Sequence, residues 1–247
     1  MRTHSPKTTM RESHRLEQGF VSEDELRALR ATLLEHPLIG PSPLKGSFYQ
    51  TRGFAIIFTR AGVDELRQRF GGLSPFIDAA CTPPPEPRSG WSRLQSEPAP
   101  SNAFYLNLLM MPAGTWVKRH IDATLRGHGG LSDVLPNRVS VLWLDTPPAL
   151  AGGQLQIFEK ESLQATITPR AGNLIHFRGD LGHAISPVVL DAEPSPETES
   201  LTRTSLVCEQ YTLSEDELSG LPSFKVHSRA GFSAFLEDAG NRSTSPV

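Results

Sequence analysis

The chain has 247 residues, of which 24 are Lys or Arg and 27 are Asp or Glu, giving a formal net charge of −3. This charge offers no attraction to a polyanion, which argues against nucleic acid or an anionic membrane as a partner. No apolar run reaches the length of a membrane span, and the two cysteines match no zinc spacing, so we expect a soluble, cytoplasmic protein.

The first hundred residues predict helices and loops that support a sheet. Residues 1–14 are polar and lack periodicity, so we expect them to be disordered. A capping box begins at Ser22 and precedes leucines at helical spacing, which predicts a helix that ends before Pro37. An apolar run at 53–59 predicts a buried strand, and the pattern at 64–70 predicts a second short helix.

The segment from Leu73 to Pro100 contains a run of prolines that breaks any regular pattern. We interpret it as an ordered surface loop or lid, because neither flanking part would form a complete core alone.

From residue 101 onward the sequence predicts β-structure. Short apolar or alternating runs are separated by Gly and Pro, without a long helical pattern between them. Such a series of short strands favours an antiparallel sandwich or barrel. The predicted strands are 103–111, 115–121, 139–145, 154–158, 163–168, 173–177, 183–189 and 203–212.

The C-terminal part departs from this pattern. An acidic, proline-containing insert at 191–199 predicts an exposed hairpin loop, and a capping pattern at Ser214 predicts a helix. Residues 241–247 have the composition of a frayed tail. We therefore expect a single domain over 15–240, with helical and loop support at 15–100, a β core at 101–213 and a C-terminal helix at 214–240.

His120-Ile121-Asp122 lies at the end of a predicted strand. Side chains two residues apart on a strand point to the same face, so this imidazole and this carboxylate can reach one ion together. His183, on a later predicted strand, is a third candidate ligand. Two histidines and one carboxylate, with coordination positions left open, form the facial triad of non-haem Fe(II) oxygenases.

Taken in order, the motifs resemble the Fe(II)- and 2-oxoglutarate-dependent oxygenase superfamily, in its prolyl 4-hydroxylase-like branch. The resemblance covers roughly residues 102–212. It implies a mainly β fold with flanking helices around a double-stranded β-helix, which is a jelly-roll of the cupin type. The motifs are His120-x-Asp122, Gly152-Gly153-Gln154-Leu155, Pro169-x-Ala171-Gly172 running into Phe177, His183, and Arg203-x-Ser205.

The resemblance also implies roles for individual residues. His120, Asp122 and His183 would bind Fe(II) and form the catalytic centre, while Arg203 would pair with the distal carboxylate of 2-oxoglutarate. The chemistry agrees, because a guanidinium presents a planar fork to a carboxylate and stays charged when desolvated.

Three further side chains are candidate partners of the co-substrate. Ser205 lies two residues after Arg203, so it faces the same way and could donate a hydrogen bond to the same carboxylate. Tyr105 and Asn107 alternate on the strand that leads to the metal motif, and both could point into the barrel.

The implied activity is that of a dioxygenase that uses Fe(II), O2 and 2-oxoglutarate and releases succinate and CO2. It would hydroxylate an unactivated C–H bond of a small molecule, such as an amino acid or natural-product intermediate, or of a peptide side chain. Arg126 and Arg138 are candidates for binding an anionic group of the substrate, and His128 is a candidate in a glycine-rich loop. Neither the substrate's identity nor the oligomeric state follows from the sequence.

Two alternatives use the same scaffold. A cupin-like metal enzyme that does not use 2-oxoglutarate would have no need of Arg203. A catalytically silent binding module would be expected to lack a residue of the triad, and all three are present.

Overall fold

Fourteen strands make up most of the regular secondary structure in a computed structural model that describes residues 13–81, 100–193 and 195–231. In chain order the strands are β1 (His14–Glu17), β2 (Gly40–Pro41), β3 (Arg52–Thr59), β4 (Ala103–Pro112), β5 (Val117–His120), β6 (Arg138–Asp145), β7 (Leu150–Gly152), β8 (Leu155–Glu159), β9 (Ser162–Ile167), β10 (Leu174–Arg178), β11 (Gly182–Ile185), β12 (Val188–Leu190), β13 (Thr202–Tyr211) and β14 (Phe224–His227).

The strands form two main antiparallel sheets. The larger sheet has the order β1-β10-β6-β13-β4-β3-β14, with β2 paired to β3, and the smaller sheet has the order β5-β11-β8-β9. Strands β7 and β12 form a separate two-stranded ribbon. From β4 to β13 the chain passes repeatedly from one sheet to the other, so that successive strands wind around a shared interior. This is the topology of a double-stranded β-helix, which confirms the predicted jelly-roll core.

One predicted strand is divided in two. The sequence predicted a single strand at 183–189, but β11 ends at Ile185 and β12 begins at Val188. Pro187 lies between them and has no N–H to donate to a ladder, so pairing with β8 stops there. The chain then pairs with β7 instead, beginning with Val188 opposite Gly152.

Three helices, α1 (Glu23–Leu33), α2 (Val63–Arg69) and α3 (Ser74–Cys81), cover one face of the larger sheet. Helix α4 (Pro196–Glu199) buries no side chain, and α5 (Glu215–Ser219) packs Leu218 on the opposite face, beside Ala55 and Ile57 of β3. The capping box at the start of α1 is confirmed, because the Glu25 amide donates to Ser22 Oγ at 3.3 Å and the Ser22 amide donates to Glu25 Oε2 at 2.8 Å. None of the helices in the described ranges is long and apolar enough to cross a bilayer.

Alternation along the strands sends one set of apolar side chains to the helices and another to the barrel interior. The helix-facing core includes Leu29 and Leu33 of α1, Phe54, Ile56 and Phe58 of β3, Phe104, Leu106 and Leu108 of β4, Leu142 and Leu144 of β6, and Leu206 of β13. The barrel interior includes Val139, Val141, Trp143, Ile175 and Phe177 of the larger sheet, packed against Leu155, Ile157 and Ile167 of the smaller one.

Three boundaries predicted from the sequence are corrected. His14, placed in the disordered N-terminus, begins β1 and pairs with Phe177 of β10. Helix α3 occupies the start of the predicted 73–100 loop, because Phe76, Ile77 and Ala80 bury one side of a helix. The 191–199 insert is not a plain hairpin loop, since it contains α4.

The predicted C-terminal helix at 214–240 is also wrong in its extent. Helix α5 has its capping box at Ser214 but ends at Ser219, where Gly220 and Pro222 follow. Residues 224–227 instead form β14, which pairs with β3 at the edge of the larger sheet. Residues 1–12, 82–99, 194 and 232–247 lie outside the described residues, and with them most of the proline-rich segment and the predicted tail at 241–247.

Candidate metal centre

The triad predicted from the sequence is brought together by one strand pairing. Strand β5 ends at His120, Asp122 follows two residues later, and His183 is the second residue of β11. Strands β5 and β11 are antiparallel neighbours in which His183 lies directly opposite His120. This register sets the two imidazole rings side by side, with centroids 4.3 Å apart.

The carboxylate of Asp122 lies between the two rings. Its Oδ1 is 3.1 Å from Nε2 of His120, and its Oδ2 is 3.4 Å from Nε2 of His183. The candidate ligand atoms all lie within 4.8 Å of one another. The other ring nitrogens face backbone carbonyls, with His120 Nδ1 2.8 Å from Lys118 O and His183 Nδ1 3.4 Å from Leu181 O. Donation from Nδ1 to a carbonyl leaves Nε2 available to a metal.

The electrostatics of this cluster suit a divalent cation. Asp122 is only 9% exposed, and its Oδ2 accepts no hydrogen bond from the described residues. Burial raises the pKa of Asp122, but His183 and His120 lower that pKa by more, so the carboxyl group is ionised. Two imidazole nitrogens and one carboxylate form a donor set that fits Fe(II).

A second polar site lies on β13 around Arg203, which is 3% exposed. Its Nη1 is 3.3 Å from Ser205 Oγ and 3.7 Å from Met111 Sδ, and its guanidinium carbon is 6.0 Å from the centre of the Trp143 ring. Burial lowers the pKa of Arg203 to about 10, so the group stays charged at neutral pH.

The charge of Arg203 is not neutralised by the protein that surrounds it. Within residues 13–81, 100–193 and 195–231, no carboxylate forms an ion pair with the guanidinium, and its buried Nε has no hydrogen-bond partner. A buried cation without a counter-ion is costly. The pocket therefore fits a ligand that brings a carboxylate.

The Gly152-Gly153 turn packs closely against Arg203. Both glycines have positive φ, +71° and +61°. A Cβ on Gly153 would lie 3.3 Å from Arg203 Cδ, and one on Gly152 would lie 2.1 Å from the carbonyl oxygen of Pro187. Only glycine lets the chain pass here without strain or collision. A cavity of about 170 Å³ reaches Arg203 beside this turn.

Tyr105 and Asn107 do not lie beside Arg203. The β4 partner of Arg203 is Met111, whereas Tyr105 pairs with Glu209, six residues along β13 and about 20 Å away. Burial raises the pKa of Tyr105, and the charges of Glu209 and Asp122 raise it further. The amide nitrogen of Asn107, in its hydrogen-bonded orientation, faces two backbone carbonyls at 3.2 Å, those of Leu108 and Phe54.

The three candidate substrate residues occupy different surroundings. Arg138 is on the helix-facing side of β6, where its Nη2 donates to Ala80 O of α3 at 2.9 Å. Its side chain is therefore separated from the triad by the sheet itself. Arg126 is exposed in the loop after Asp122. His128 lies in the same loop and packs edge-on against His227 of β14, with ring centroids 5.5 Å apart.

Sequence reasoning missed Glu209, which is buried on the barrel side of β13. Burial raises its pKa to about 8, as does the charge of Asp122, whereas hydrogen bonds from Thr124 and Tyr211 act in the opposite direction. The signal was present, because residues 203, 205, 207, 209 and 211 share one face of the strand. The alternation that groups Ser205 with Arg203 also predicts that Glu209 faces inward.

Three solved structures are similar to this chain. A prolyl-4-hydroxylase from Pseudomonas putida has a TM-score of 0.49 and 19% identity, covering 82% of this chain and 94% of its own. A prolyl hydroxylase from Trichoplax adhaerens, in complex with a hypoxia inducible factor oxygen degradation domain peptide fragment, has a TM-score of 0.48 and 13% identity, covering 84% and 86%. An oxidoreductase of the 2OG-Fe(II) oxygenase family from Burkholderia pseudomallei has a TM-score of 0.46 and 16% identity, covering 81% and 85%.

No protein-family model and no curated protein sequence matches the chain.

Proposed function

We propose that the protein is an Fe(II)- and 2-oxoglutarate-dependent dioxygenase. It would hydroxylate an unactivated C–H bond of a small molecule or a peptide side chain, with succinate and CO2 as co-products. The observation that carries the proposal is a pair of sites in one barrel. A histidine–aspartate–histidine cluster with aligned donor atoms lies at one position, and a buried arginine without a counter-ion lies at another.

His120, Asp122 and His183 would hold the iron. Each histidine is oriented by the contact of its Nδ1 with a backbone carbonyl, so Nε2 is presented without a change of ring position. Asp122 contributes a negative charge that offsets part of the metal's charge. When bound, Fe(II) with O2 and 2-oxoglutarate supplies the oxidising equivalents for C–H hydroxylation.

Arg203 would bind the distal carboxylate of 2-oxoglutarate, with Ser205 as a neighbouring hydroxyl donor. Because the guanidinium is desolvated and unpaired, a carboxylate gains a strong charge-assisted hydrogen bond there without displacing a protein anion. The Gly152-Gly153 turn and the Trp143 ring lie beside this group and restrict the space around it.

Arg203 also separates this proposal from the two alternatives. A cupin-like metal enzyme that does not use 2-oxoglutarate gains nothing from a buried, unpaired arginine. A silent binding module has no need of histidines held with Nε2 facing a shared carboxylate. The described residues therefore favour an enzyme that uses a carboxylate co-substrate.

The substrate would approach from the surface beside the metal ligands. Ile121, between His120 and Asp122, is 46% exposed and offers apolar surface for a substrate to cover. Arg126, exposed in the loop that follows, remains a candidate for binding an anionic group. Arg138 is left out of the proposed site, since its side chain binds α3.

The test is an anaerobic titration of the purified protein with Fe(II) and then 2-oxoglutarate, followed by visible absorption. Chelation of ferrous iron by the 2-oxo acid should give a weak charge-transfer band. Arg203→Ala should abolish the band at matched concentrations, while Arg27→Ala, at an exposed arginine of α1, should retain it. Bound metal without a band would support the cupin-like alternative, and failure to bind metal would support the silent module.

A further inference from the structure

Glu209 is a buried acidic group that the proposed function does not use. It is 3% exposed, and within the described ranges the only other buried carboxylate belongs to Asp122. Its neighbours on the adjacent strands are Tyr105 and Val139, which makes its surroundings largely apolar. A carboxyl group at such a position requires an explanation, because its burial is unfavourable unless several hydrogen bonds compensate it.

The donors come from one short segment and one neighbouring side chain. The backbone amide of Thr124 donates to Glu209 Oε2 at 3.1 Å, and the Thr124 hydroxyl donates to Oε1. The Tyr211 hydroxyl also donates to Oε2 and accepts a longer contact of 3.5 Å from the Leu125 amide. Glu209 thus accepts hydrogen bonds from both donors of Thr124, and the Tyr211 hydroxyl contacts the amide of Leu125.

The hydrogen bonds to Thr124 also restrain the candidate ligand Asp122. Thr124 lies two residues after the candidate ligand Asp122, in the loop where the chain leaves the smaller sheet. On its N-terminal side Asp122 is fixed by His120, whose strand pairs with β11. On its C-terminal side the first anchor is Glu209, which belongs to the larger sheet.

We infer that Glu209 is a positioning residue for the metal centre. Through Thr124 it ties the segment that carries Asp122 to the larger sheet, so that the carboxylate of Asp122 is held toward the two histidines from both sheets. A side chain of leucine or methionine would fill the same space without this connection. The inference rests on the proposed metal site, and it does not depend on the use of 2-oxoglutarate.

The test measures affinity for Mn(II), by calorimetry without 2-oxoglutarate, together with thermal stability. Glu209→Met fills the same space but offers no acceptor to Thr124, and Thr124→Val removes the hydroxyl. Each should weaken Mn(II) binding by about 10-fold to 100-fold, the range seen when a partner of a metal ligand is lost. Thr124→Ser restores the hydroxyl and should restore the affinity. Glu159→Met, at a half-exposed glutamate paired with Arg178, is the matched control and should bind as the wild type does.

A structural role alone would change the melting temperature of Glu209→Met and Thr124→Val without changing their Mn(II) affinity, and this result would overturn the inference. A loss in Glu209→Met as complete as that in Asp122→Ala would overturn it too, by making Glu209 a ligand. In both cases the wild type binds Mn(II), so the proposed metal site stands. If the wild-type protein binds no Mn(II), both the proposed metal site and this inference are wrong.

Discussion

The two faces of the larger sheet differ in how their buried polar groups are hydrogen-bonded. On the helix side Arg138 donates to Ala80 O, and His176 Nδ1 lies 2.6 Å from Ser140 Oγ. On the barrel side Arg203 Nε and Trp143 Nε1 are buried and have no hydrogen-bond partner in the described part of the chain. The helix-side groups find their hydrogen-bond partners within the protein. Among the barrel-side groups, Glu209 is satisfied by Thr124 and Tyr211, whereas Arg203 and Trp143 are left open, as expected of groups that meet a ligand.

This difference separates residues of the same type. Arg138 and Arg203 are both arginines near the start of a strand in one sheet. The first is satisfied by carbonyls of α3 and the second has no anion beside it. Variants of the open groups on the barrel side should therefore change ligand binding with little effect on folding. Variants of the hydrogen-bonded groups on the helix side should lower the stability of the fold with little effect on ligand binding.

The largest effect is expected for Asp122→Ala. The variant removes the only anionic ligand of the cluster, so its affinity for Fe(II) or Mn(II) should fall by far more than about 100-fold, beyond the loss of an indirect partner. Its fold should persist, because the barrel core is apolar and does not include the ion. Circular dichroism and calorimetry check both parts, with exposed Asp133→Ala as control. Unfolding of Asp122→Ala would show that this site is structural.

The next effect is expected for Arg203→Met. Loss of the charge-assisted bond to a buried carboxylate should weaken 2-oxoglutarate binding by about 100-fold or more, equivalent to roughly 3 kcal/mol. The free protein should be as stable as the wild type or more so, since an unpaired buried charge has been removed. The anaerobic titration gives the affinity and thermal unfolding gives the stability. Wild-type affinity in this variant would place the co-substrate elsewhere.

Arg138→Met tests the opposite face of the sheet. The substitution leaves the carbonyl of Ala80 and the side chain of Gln210 without their donor, and each buried group so abandoned costs about 1–3 kcal/mol. We expect a clear drop in the free energy of unfolding by urea, with unchanged affinity for metal and 2-oxoglutarate. Weaker ligand binding at unchanged stability would mean that Arg138 contributes to the ligand site.

The strand pattern and the grouping of His120 with Asp122 could be predicted because both depend on local alternation, whereas His183 joins them only through the register of β5 with β11. His120 and Asp122 share a face by their spacing, and Gly and Pro mark the strand ends around them. Alternation alone does not say which face is the barrel. Apart from Ser140, strand β6 is apolar on both sides from Val139 to Leu144, so its alternation does not indicate that Arg138 faces the helices.

Long-range pairing accounts for the other errors. The capping box at Ser214 correctly predicts a helix start, but Phe224–His227 becomes a strand only because β3 offers a free edge. Likewise, the distance between Tyr105 and Arg203 follows from the register of β4 with β13, which no local motif specifies. Glu209 faces inward by alternation, but its connection to Thr124 appears only when the two sheets are assembled.

The smallest effect is expected for the pH dependence contributed by His176 on the helix side. Burial lowers the pKa of His176 to about 4, and the charges of Arg138 and Arg15 add to the effect. The unfolded chain takes up this proton near the usual pKa of about 6.5, whereas the folded protein keeps the ring neutral. The contribution is therefore fully present above pH 6.5 and is lost as the pH falls toward 4, with a slope of at most about 1.4 kcal/mol per pH unit.

His176→Gln cannot take up this proton, so its free energy of unfolding should vary less between pH 6.5 and pH 5 than that of the wild type. Urea denaturation at the two pH values gives the difference. Parallel pH dependence in both proteins would mean that His176 is protonated in the folded state. The helix side of the sheet would then carry an open polar group of its own, and the distinction between the two faces would no longer hold.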